Sequence, residues 1–127
     1  MATTTFKNDM IVTGTFNAQG GLKAPIGAAT ATAGAATLAA KVGKVTTEAL
    51  TTAQNVIYTL TITNTSIAAA DVVTASVANG TNTQGTPMIG TVTPGAGTLV
   101  ITVINKHATA QALNGTLVVS FRAVTAA

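Results

Sequence analysis

Three carboxylates, one histidine and three serines are the side chains of this 127-residue chain that acid–base or nucleophilic chemistry would draw on. Asp9, Glu48 and Asp71 stand apart in sequence. An acid/base pair needs two carboxyl groups facing one cleft, and no spacing here supplies that. Hydrophilic loop or strand-end positions are expected for all three. His107 is the single histidine and there is no cysteine. A zinc site takes at least three protein ligands of N, S or O type. One chain cannot assemble the usual set, although a symmetry axis gathering three copies of His107 would supply three imidazoles. In NKHATAQ, residues 105–111, the expected role of His107 is a solvated loop residue. Ser66, Ser76 and Ser120 lack the G-x-S-x-G context that exposes a nucleophile on a strand-to-helix turn. Gly43-Lys44 lacks the upstream glycine spacing and following Ser/Thr of a phosphate-binding loop. Three N-x-[ST] matches, at Asn64, Asn79 and Asn114, arise by chance in so Thr-rich a chain. The expectation is a protein that is not an enzyme, with no catalytic residues, cofactor or metal.

The totals point to β structure. Charged residues are 7% of the chain, against roughly 25% in a typical globular domain. Ala and Thr dominate, with 3 Phe, 1 Tyr and no Trp. Threonine is β-branched and suits a pleated surface. The net charge of +3 comes from Lys7, Lys23, Lys41, Lys44, Lys106 and Arg122, scattered and without a set of aromatics for base stacking, so no nucleic-acid partner is expected. The N-terminus has no basic region followed by an apolar core. Residues 24–40 are uncharged but short and poor in Leu, Ile and Val for a bilayer span. Synthesis in the cytoplasm without a membrane anchor is the resulting expectation.

Strand signals come regularly from Lys41 onward. KVGKVTTEAL opens the series. VIYTLTITN alternates Tyr58, Leu60 and Ile62 with Thr59, Thr61 and Thr63. VVTASVAN, residues 72–79, sets Val73, Ala75 and Val77 on one face. MIGTVT, residues 88–93, is followed by the turn PGAG, in which Pro pre-sets φ and Gly permits φ > 0. TLVITVIN, residues 98–105, directs Leu99, Ile101 and Val103 inward. TLVVSFRAV, residues 116–124, directs Leu117, Val119 and Phe121 inward and Val118, Ser120 and Arg122 outward. Short strands separated by Gly/Pro/Asn loops predict an all-β, antiparallel β-sandwich, with a jelly roll and an immunoglobulin-like order both open.

Residues 1–40 read differently. MIVTGTF is strand-like, NAQGGL marks a turn at Gly20-Gly21, and residues 24–40 are an Ala/Thr/Gly-rich linker unable to fold by itself. The chain therefore divides into an extended N-terminal arm, 1–40, and a sandwich domain, 41–127. The arm carries Phe6, Met10, Ile11, Val12, Phe16 and Leu22, apolar residues with nothing of their own to pack on. A neighbouring subunit is the favoured destination, and the edge of the arm's own sandwich is the alternative. The threonine faces fit the same picture, because a sheet covered by neighbouring copies needs little charge.

GKVTTEALTTAQNVIYTLTITNTSI, the NGTNTQGTP loop, VTPGAGTLVITVIN and ALNGTLVVSF resemble a β-sandwich module of tailed-bacteriophage virion proteins, over roughly residues 43–124. MIVTGTFNAQGGL is similar to short β segments of phage fibre and decoration proteins. The resemblance implies a structural virion protein, most like a head decoration or cement protein. As implied by that class, it would be a jelly-roll-like homotrimer on the outer capsid surface, partnered by the major capsid protein and by its own copies. A fibre, spike or tail-associated protein is the alternative within the virion. A carbohydrate-binding sandwich is the alternative outside it, for which one Tyr and three Phe give few stacking platforms.

Overall fold

The computed structural model describes residues 25–125. Eight strands follow one another with no helix: β1 (Gly27–Thr30), β2 (Ala35–Thr37), β3 (Val42–Thr46), β4 (Ile57–Thr63), β5 (Val72–Asn79), β6 (Pro87–Gly95), β7 (Thr98–Asn105) and β8 (Leu117–Val124). They form two four-stranded sheets, ordered β1-β3-β8-β5 and β2-β4-β7-β6. β3 pairs with β8 and β4 with β7, the outer strands of the sequence enclosing the inner ones. The two sheets pack face to face as an all-β sandwich.

The alternating pattern sets the facing. Leu60, Ile62, Leu99, Ile101, Leu117 and Val119 are fully buried, Val103 and Phe121 nearly so, and together they form the core between the sheets. Their strand neighbours point out, and each strand is thereby pinned in register, since a slip of one residue would invert every side chain. β6 and β7 meet in a tight turn at Ala96-Gly97, where Gly97 has φ 77°.

Two expectations change. The sheets are mixed rather than wholly antiparallel, because β1 runs parallel to β3 and β2 parallel to β4. The stretch expected as a linker, 24–40, contributes both of these strands. It has no apolar periodicity, and it is held by ladders supplied from the domain itself. The chain climbs one edge of the first sheet as β1, turns, and descends one edge of the second as β2. Thr32 and Ala35 exchange both backbone hydrogen bonds across the turn. Ala33 and Gly34 both take positive φ, 50° and 75°, as a type I′ turn requires. Ala31 and Ala36 are buried there. The side chain of Leu38 lies over Gly27 and Gly43, a registered pair where any Cβ would fall within 2.8 Å of it. Phe6, Met10, Ile11, Val12, Phe16 and Leu22 lie outside the described residues.

Candidate functional site: two uncharged or cationic sheet faces

The reactive groups are placed by structural duties. Lys41 Nζ donates to Asp71 Oδ2 at 2.5 Å, and this is the one ion pair among the described residues. Ala68 N–H donates to the same oxygen. The Lys41 ammonium, with that amide, holds the Asp71 carboxyl below the usual carboxylate range. Asp71 is 6% exposed, and its Oδ1 has no hydrogen-bond partner among the described residues. Glu48, in the loop after β3, ties the β1–β2 turn to β4: Oε1 accepts from Gly34 N–H at 2.9 Å and Oε2 from the Tyr58 hydroxyl at 3.0 Å. Burial and then the Glu48 carboxylate push the Tyr58 phenol well above its ordinary value. His107 sits in the loop after β7, its Nδ1 beside Thr109. Asp71 precedes β5 at one end of the sandwich and His107 follows β7 at the other, so the geometry does not bring them together.

Buried asparagines fix the loops at the two ends. Asn64, fully buried, donates to Ala40 O and accepts from Ala40 N and Ser66 N. Asn105, also fully buried, accepts from Thr86 N and His107 N and donates to Thr52 O and Gln111 O. Asn82 donates to Asn79 Oδ1 and Gln84 O and accepts from Asn114 N. Each amide pairs backbone groups that have no ladder partner, which a buried loop cannot leave unmade. Sequence reading missed these residues, because a single Asn in a polar loop carries no pattern.

What remains for other molecules is the pair of outer faces. β2, β4, β6 and β7 contain no charged residue at all. Their outer face is a field of threonine in cross-strand rows. Thr59 opposes Thr102, and Thr37, Thr63 and Thr98 follow in register. Thr91 joins the first row through a 2.9 Å hydroxyl contact with Thr102. Ile57 and Met88 stand exposed at one end of this face, in register with Ile104.

The outer face of the other sheet has two charges, Lys44 and Arg122, and both are cations. Lys44, Ser120 and Ser76 form one cross-strand row; Val42, Arg122 and Thr74 form the next. A shallow hollow of about 350 Å³ lies here, lined by Thr74, Ser76, Ser120 and Arg122. It offers an anionic group one guanidinium and three hydroxyls. Lys41, a further cation for an acidic partner by sequence, is engaged by Asp71. Lys7 and Lys23 lie outside the described residues. The outward positions of Ser120 and Arg122 are legible from the strand's alternation, but their meeting with Lys44 and Ser76 depends on a strand order that no local pattern reveals.

No protein-family model, curated protein or solved structure matches the chain.

Proposed function

We propose that this chain is a structural virion protein, a decoration or cement protein on the outer surface of a phage head, acting by contact and not by catalysis. The observation that carries the reading is the uncharged threonine face. A sheet of β2, β4, β6 and β7 with no charge in any strand is poorly protected from association. It is well suited to lie against another protein, since threonine methyls give contact area and the hydroxyls tolerate residual water. The opposite face supplies Lys44 and Arg122 for an acidic patch on the major capsid protein. The sequence resemblance to virion sandwich modules supports the same reading.

The mechanism is mechanical. Identical modest contacts repeated over a shell resist internal pressure through avidity. The arm residues Phe6, Met10, Ile11, Val12, Phe16 and Leu22 add apolar area on neighbours, at roughly 25 cal/mol per Å² buried, and copies associate as a homotrimer.

Antibody labelling of intact particles, viewed by electron microscopy, tests the location. Label over the whole head is expected. Label confined to the tail or one vertex would replace this reading with the fibre or tail one, and absence of the protein from purified particles, checked by mass spectrometry, would end the virion reading.

A further inference from the structure

The four sheet edges are not equally protected. β1 and β2 are only four and three residues long, and short edges offer little to pair with. β6 is broken: Pro87 and Pro94 lie in it, and the register shifts between Ile89 and Val92. Proline and bulges are the usual devices that blunt an edge. β5 has none of them. Val72 to Asn79 are eight residues with no Pro, Gly, Lys or bulge, and they pair with β8 without interruption. β5 is the one long regular edge among the described residues.

The core also stops short on this side. Val73, Ala75 and Val77 point inward from β5, and Ile89 and Val92 from β6. All five pack on the core, yet all remain only partly buried. One more strand beside β5 would cover them.

We propose that residues 10–16, MIVTGTF, of a neighbouring copy add to the β5 edge as an extra strand. The pattern fits both layers. With the strand's period of two, Met10, Val12 and Phe16 face the core beside Val73, Ala75 and Val77. Ile11, Thr13 and Thr15 continue the outer row of Thr74 and Ser76. The reach fits too. The N-terminal segment meets β1 on the opposite edge of the same sheet, three strand spacings or about 14 Å from β5. Residues 17–26 span up to about 33 Å when extended, more than enough to leave the parent sheet. Supply by a second copy, rather than by the same chain, rests on the reading of a many-copy assembly; the choice of edge does not. Strand addition of this kind takes affinity from backbone hydrogen bonds and register from alternate side chains.

The chain has no cysteine, so an introduced pair reports without background. Ser76→Cys is combined in turn with Ile11→Cys, Thr13→Cys and Thr15→Cys in the full-length purified protein, oxidised and run without reductant. A covalent oligomer for one of the three pairs, strong against the single Ser76→Cys control, is expected. A disulfide closed within one chain would overturn exchange between copies. No disulfide for any pair, in protein whose melting temperature matches the parent, would overturn strand addition altogether. Because purified protein is used, either failure is separate from failure of the virion reading, which particle labelling decides. Thr74→Lys with Ser76→Lys gives a second check: charges on the edge should shift the oligomer at least tenfold toward monomer, and unchanged association would argue against β5.

Discussion

The two long sides of this sandwich are closed by different means, and only one is closed by the described chain. On the β1/β2 side, eleven residues rich in Ala, Thr and Gly cross from one sheet to the other and bury Ala31 and Ala36. They are held by a tight turn, by Glu48 and by parallel ladders. On the β5/β6 side, larger apolar residues line the gap, yet Val73, Val77, Ile89 and Val92 stay partly exposed. Hydrophobicity alone therefore does not mark which side is finished. A weakly apolar segment closes its side because its backbone groups find partners; a strongly apolar side stays open because no further strand among the described residues stands beside it.

The largest expected effect separates the sides by core substitution. Phe121 is 3% exposed, and its ring lies beneath Gly43 next to the β1 edge. Phe121→Ala should cost about 3–5 kcal/mol in urea unfolding. Val77→Ala on the open side should cost only about 1 kcal/mol, since Val77 is only partly buried. Equal losses would break the comparison and mean that the open side is covered in solution. Val77→Ala measured with and without residues 2–22 sharpens this, because a covering strand should make the loss larger in the full chain.

Next in size is the Glu48 bridge. Glu48→Ala leaves the Gly34 amide and the Tyr58 hydroxyl without their acceptor. Both are partly exposed, so water replaces some of the loss, and about 1–2 kcal/mol is expected. Tyr58→Phe should cost about 1 kcal/mol. In the double variant the two losses should fall short of their sum by about 0.5 kcal/mol or more. Strict additivity would mean that Glu48 does not hold β4 to the β1–β2 turn.

The pH dependence reads the same two regions from opposite ends of the scale. The Tyr58 phenol is held protonated by burial and by Glu48, so its folded value lies above its unfolded one. That contribution is complete below pH of about 10 and is lost as pH rises beyond it. Tyr58→Phe should flatten the alkaline limb of melting temperature against pH. Asp71 has the opposite sign. Lys41 and the Ala68 amide lower its value, so its contribution is complete above the ordinary carboxylate range and is lost as pH falls through and below that range. Asp71→Asn should flatten the acid limb and leave the alkaline limb alone. A crossed result, with Tyr58→Phe changing the acid limb, would show that the two regions are coupled.

The contrast also explains what was legible beforehand. Residues 72–79 and 98–105 read as strands from their alternation, and the structure has β5 and β7 at those bounds. Alternation works there because one face meets a core and the other does not. It fails for Gly27–Thr30 and Ala35–Thr37, where Ala on either face gives no contrast. Their order comes from Leu38 seated on Gly27 and Gly43 and from hydrogen bonds to residues about 15 to 26 positions away. The Glu48–Tyr58 contact joins a loop to β4 over ten residues of sequence and matches no motif. The cationic face was half legible: parity turns Lys44 and Arg122 outward, but only the strand order β3-β8-β5 brings them together.

The smallest expected effect is a gain. Ala33 takes φ 50° in the turn between β1 and β2, a left-handed conformation that costs a residue with a Cβ roughly 1–2 kcal/mol. Asn tolerates that region, and Asn-Gly is the preferred pair for this turn. Ala33→Asn should therefore stabilise the protein by about 0.5–1 kcal/mol and raise the melting temperature by a few degrees. Gly34→Ala should do the reverse, because its φ is 75° and a Cβ there would lie 2.6 Å from Thr59 O. A gain at 33 with a loss at 34 identifies the turn as the hinge by which the weakly apolar segment closes its side. If Ala33→Asn gives no gain while Gly34→Ala still destabilises, the close approach to β4, and not the turn's backbone conformation, holds β1 and β2 in place.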